Sequence, residues 1–82
     1  MRKEHKLKIR PEYLDNLLSG RKKVEIRYND RDYQVGDILE FWYSDDTGHI
    51  KNSGFKRFQI THIHSGLGLK ENYVCLSLKP IV

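Results

Sequence analysis

One junction in this chain restricts its fold more than any other: a helical pattern that stops at Gly20 and turns at once into a strand with charges on one face. Pro11 to Ser19 carries proline near the first helical position, Glu12 in the first turn, and Tyr13, Leu14, Leu17 and Leu18 at helical spacing. Gly20 follows as a C-terminal cap, in a left-handed conformation that costs glycine little. Lys22 to Tyr28 then reads as a strand. Its period of two puts Val24 and Ile26 on one face, taken as the core face, and Lys23, Glu25 and Arg27 on the other. That polar face meets either water or a polar ligand.

The remaining pattern is that of short strands. His5-Lys6-Leu7-Lys8-Ile9 alternates with Leu7 and Ile9 inward after a basic tip. Asn29 to Asp32 and Gln34-Val35-Gly36-Asp37 are turn signals, and Ile38 to Tyr43 has the content of a third strand, with Leu39, Phe41 and Tyr43 as core and Trp42 partly exposed. Asp45-Asp46-Thr47-Gly48 suits a connection that His49 to Ser53 extends. Phe55 to His64 is the fourth strand, with Phe58, Ile60 and His62 inward, and Tyr73 to Leu78 the fifth, with Val74, Leu76 and Leu78 inward. Between them the leucines of Gly66-Leu67-Gly68-Leu69 anchor a compact loop on the core; without a third glycine and a long helix after it, it is not a dinucleotide fingerprint. The expectation is a single domain over residues 1–82, mainly β with one early helix, its five strands closed or nearly closed into a small pseudo-barrel.

Composition bounds the function. Hydrophobic residues make up 38% of the chain in short runs, so neither a membrane span nor a signal-peptide core is expected, and no membrane partner. Cys75 is the lone cysteine, in keeping with a reducing compartment, and the expected location is the cytoplasm. The net charge of +4 is placed unevenly. Met1 to Arg31 holds ten Lys/Arg against five Asp/Glu, whereas the remainder holds five against six. A basic half of this kind suits a surface that approaches phosphates, although charge alone fits a merely soluble protein as well.

With Leu18-Ser19-Gly20-Arg21-Lys22-Lys23-Val24-Glu25-Ile26-Arg27, the Asn29 to Asp37 turn and the Gly66-Leu67-Gly68-Leu69 loop in view, the chain resembles the ASCH domains of the PUA-like superfamily, within a short uncharacterised ASCH-like group. The resemblance spans nearly the whole chain. It implies a five-stranded pseudo-barrel, a cleft between helix and barrel into which the motif's polar residues project, and an association with RNA or modified bases. Lys8 and the Lys23/Glu25/Arg27 face, if adjacent, supply donors for phosphate or base acceptors and one carboxylate acceptor.

Arg27 leads the candidate residues, because its planar fork pairs bidentately with a phosphate or base edge and stacks on bases. Glu25 is second, and a plain salt bridge between the two competes evenly with the ligand reading. Lys22 should follow Val24 by alternation, yet its place at the strand's start lets the glycine turn send it to the cleft. Arg21 and Arg31 are turn charges for which phosphate contact is the most to be expected. Trp42 is a possible stacking surface, with packing its commoner role.

A small amidohydrolase acting on an acylated nucleoside is the main alternative to a non-catalytic binding module. Related ASCH-like hydrolases use a lysine and a threonine in this motif, and Lys22 stands at the lysine position, but Glu25 occupies that of the threonine nucleophile. Glu71 is the one candidate for a further acid. A protein interaction module with no ligand is the third reading. His62 and His64 lack the further ligands a zinc site needs, Cys75 has no base paired with it in the pattern, and no cofactor is expected.

Overall fold

The computed structural model describes residues 2–44 and 50–81, without the side chains of 43–44 and 50–55. Its elements are β1 (Glu4–Ile9), α1 (Pro11–Leu18), β2 (Val24–Tyr28), β3 (Ile38–Ser44), β4 (Ile50–Ser65) and β5 (Tyr73–Pro80). They form one mixed sheet in the order β1-β3-β4-β5-β2, with β1 parallel to β3 and the other pairs antiparallel. The sheet curls into a half-barrel. Its two end strands come close enough for the Arg27 side chain of β2 to donate to the Lys8 carbonyl of β1.

Each element has a local cause. Pro11 opens α1, and the Arg10 carbonyl accepts from the Tyr13 and Leu14 amides, both at 3.1 Å. Leu14 and Leu17, three apart, bury one helix face toward β3, worth roughly 1.5–3 kcal/mol each. Tyr13 and Leu18 stay exposed. Gly20 has φ of 81°, and the Lys22 amide still reaches back to the Asn16 carbonyl at 3.0 Å, so the chain leaves the helix in a fixed direction.

The core is Leu7 and Ile9 of β1, Leu14 and Leu17 of α1, Leu39 and Phe41 of β3, Phe58 and Ile60 of β4, and Val74 and Leu76 of β5, joined by Tyr33 from the turn. Phe41 and Phe58 meet edge to face with centroids 5.8 Å apart.

A buried polar clamp fixes one end. Asp37, 1% exposed, accepts from the Lys3 amide at 2.9 Å, from His5 Nε2–H at 2.8 Å and from the Gln34 amide at 3.0 Å. Burial works to raise its pKa, but these three donors outweigh it and hold the carboxyl below the ordinary value of 3.8. His5 in turn meets the Tyr33 ring edge on, 4.9 Å between centroids.

Four expectations change. Ile26 is exposed and Glu25 buried, so the core-facing side of β2 is the charged one, opposite to the assignment of Val24 and Ile26 to the core. The register explains this: Glu25 pairs with Leu76 and Arg27 with Val74, and cross-strand partners share a face. In β4 the register shifts between Ile60 and His62, which turns His62 outward and brings Ile63 onto the core. Leu67 is 91% exposed and anchors nothing. Ile50–Ser53 belongs to β4 rather than to a loop; Asp45 to His49 and the Tyr43 side chain lie outside the described residues.

Candidate functional site

The two ends of the sheet face each other across a groove, and β2 supplies its charged floor. Glu25 is 7% exposed, with one carboxylate oxygen 2.9 Å from Lys22 Nζ and the other 3.1 Å from Arg27 Nη2. The same Nη2 donates to the Lys8 carbonyl at 3.2 Å. Arg27 thus links a buried acid on its own strand to the backbone of the strand at the other end of the sheet. Its guanidinium lies 5.8 Å from the centre of the Phe41 ring, above the core.

This bridge divides the groove into two lobes that share Lys8, Arg27 and Tyr28. The wider lobe, about 650 Å³, is further lined by Lys6, Leu7, Asp30, Arg31, Tyr33 and Trp42. The narrower, about 480 Å³, lies on the helix side and is further lined by Ile9, Arg10, Tyr13, Lys22, Glu25, Ile26 and Tyr73. Lys22 reaches it from the turn after Gly20 and holds its ammonium 5.6 Å from the centre of the Tyr13 ring.

Local bonds set the walls of the wider lobe. The Tyr33 amide donates to Asn29 Oδ1 at 3.1 Å, which folds the turn after β2 back beside the groove. Burial pushes the Tyr33 phenol above its ordinary value of 10.0, against the pull of Arg27 and Arg31. The hydroxyl is neutral at physiological pH. Trp42 is half-buried, and its indole N–H donates to Glu40 at 2.9 Å.

Of the residues singled out from the sequence, Lys8, Lys22, Glu25, Arg27, Arg31 and Trp42 line the groove. Arg21 and Lys23 do not: both are exposed, the Arg21 amide donating to Ser19 Oγ at 3.4 Å and the Lys23 carbonyl accepting from Leu78. Arg10, Tyr28, Asp30 and Tyr33 were not anticipated. Their sequence signals are those of a helix start, a strand end and a turn, and only the meeting of β1 with β2 makes them neighbours.

The chain matches the family described as a domain of unknown function, DUF3850, over residues 4–78. It belongs to that family. This DUF3850 domain is also 44% identical over 39 residues to a protein of Escherichia phage P2 described as "Uncharacterized 12.9 kDa protein in GpA 3'region". That match takes in 48% of the DUF3850 chain and 36% of the phage protein, so the chain covers about a third of its relative.

Chemically, the groove of this DUF3850 domain suits anion and hydrogen-bond recognition. Glu25 has each oxygen engaged by a cation, Oε1 by Lys22 and Oε2 by Arg27. Among the described residues no three of His, Cys, Asp and Glu gather closely enough to hold a metal ion. His64 bonds the Leu67 carbonyl at 3.0 Å, and His62 is exposed. No described helix is long and apolar enough to cross a membrane.

Proposed function

We propose that this domain is a non-catalytic module that binds RNA or a modified nucleotide in the groove between β1 and β2, as a member of the ASCH group of PUA-like domains acting in the cytoplasm. The observation that carries this reading is the convergence of Lys8, Arg10, Lys22, Arg27 and Arg31 on one groove whose walls are aromatic. Cations neutralise phosphates and release counterions, while Tyr28 and Trp42 offer faces and edges to an unpaired base. Among the described residues two carboxylates line the groove, Asp30 and Glu25, and Glu25 is held by Lys22 and Arg27. Of the Gly20 to Arg27 segment that carries the ASCH resemblance, Lys22, Glu25 and Arg27 line the groove.

The test is titration of short single-stranded RNA at several salt concentrations. Binding should weaken as salt rises, and Arg27→Ala and Lys22→Ala should each weaken it further. Binding that is absent, or indifferent to salt and to both substitutions, sinks the proposal.

A further inference from the structure

We infer that the groove takes one nucleotide unit across its waist, the base in the wider lobe beside Trp42 and the phosphate in the narrower lobe between Arg10 and Lys22. This rests on the nucleotide reading above and adds a polarity to it. The lobes differ in what they offer. Among the described residues, the wider one combines Leu7, Tyr28, Tyr33 and Trp42 with one carboxylate, Asp30, a set that gives a planar base apolar walls and an acceptor for an exocyclic amine. The Glu40 bond to the Trp42 indole fixes the ring before any ligand arrives.

The narrower lobe is rich in donors. Its Tyr13 ring is covered by the Lys22 ammonium, and its Tyr73 ring meets Tyr28 edge on with centroids 5.5 Å apart. Arg10, Lys8, Lys22 and Arg27 line it against the single carboxylate of Glu25, whose oxygens are both engaged. Lys22 gives one of its three donors to Glu25, and Arg27 uses one nitrogen of its fork for Glu25 and Lys8 together. Among the described residues that line it, a phosphate placed here meets charge-assisted donors and no unpaired acid. Arg27 and Lys8, common to both lobes, sit where the sugar would cross.

Trp42 is the only tryptophan in the chain, so its fluorescence reports the wider lobe directly. The experiment titrates the full chain with the four ribonucleosides, their 5′-monophosphates, inorganic phosphate and a short single-stranded RNA. At least one monophosphate should quench Trp42 and bind tenfold or more tightly than its nucleoside, and inorganic phosphate should compete with it. Lys22→Ala should reduce monophosphate affinity at least fivefold more than nucleoside affinity. Arg10→Ala, which leaves the Glu25 cluster whole, should show the same bias and covers the case in which the lysine variant folds poorly.

Equal affinity for nucleoside and monophosphate, or binding that leaves Trp42 emission unchanged, overturns the inference. So does RNA binding without mononucleotide binding, which leaves the RNA reading standing. If neither RNA nor mononucleotide binds, both readings fall.

Discussion

Arg27 of β2 donates from Nη2 to the carbonyl of Lys8 in β1 at 3.2 Å, joining the two strands that stand at opposite ends of the sheet order. The bond does for this half-barrel what a ladder does for a closed barrel, but through one side chain. It also ties the candidate site to folding, because the same nitrogen holds the buried Glu25.

Removing Arg27 should therefore cost stability as well as binding. Arg27→Ala leaves Glu25 with Lys22 alone and the Lys8 carbonyl without this donor, a loss of about 1–3 kcal/mol. Urea unfolding should show a lower midpoint with little change in slope. A double-mutant cycle with Glu25→Gln should show coupling between the pair of at least about 0.5 kcal/mol. Strict additivity would mean that the two residues touch without supporting each other.

Glu25→Gln separates a structural acid from a ligand-contacting one. The substitution leaves two cations facing a neutral amide, so unfolding should become easier by about 1–3 kcal/mol. The attraction for an anion rises at the same time. The expected outcome is a less stable protein whose affinity for single-stranded RNA at low salt is equal to or above that of the native chain. Lost binding with stability intact would instead make Glu25 a direct ligand contact.

The Asp37 clamp gives a pH signature. Its pKa lies below 3.8 in the folded protein, so the unfolded chain takes up the proton first as pH falls. The stabilisation is complete above about pH 4 and is lost as pH drops through the depressed folded value. Asp37→Asn should lower stability at neutral pH by about 1–3 kcal/mol and flatten the acid limb of the stability profile. Thermal unfolding across the acid range measures both, and an unchanged acid limb would assign the loss to other carboxylates.

Much of this fold is legible in local pattern, and the failures share one cause. Helix, glycine stop and five strands follow from period, proline and glycine, and Leu39, Phe41, Val74 and Leu76 take the faces that alternation assigns. Alternation also separates Val24 and Ile26 from Glu25 and Arg27, but which pair turns inward is decided by the register with β5. The charged pair can be inward because Lys22 and Arg27 satisfy the buried acid. The shift at Ile60/His62 and the His5–Asp37 bond across 32 positions are non-local in the same way. The site follows suit: Lys22, Glu25 and Arg27 were visible as one motif, whereas Arg10 and Tyr33 join it only when β1 and β2 meet.

The reversed face of β2 is open to direct measurement. Ile26 is 55% exposed and pairs with Cys75, away from the core-facing Val74 and Leu76. Ile26→Thr keeps a β-branched residue on the strand and removes little buried surface, so it should change stability by less than about 0.5 kcal/mol. Leu76→Ala, at the buried partner of Glu25, deletes a side chain with no exposure and should cost about 2–5 kcal/mol. Equilibrium unfolding of the two variants side by side tests the orientation. If Ile26→Thr proved as damaging as Leu76→Ala, β2 would have its apolar face inward, and Glu25 and Arg27 would point to solvent instead of into the groove.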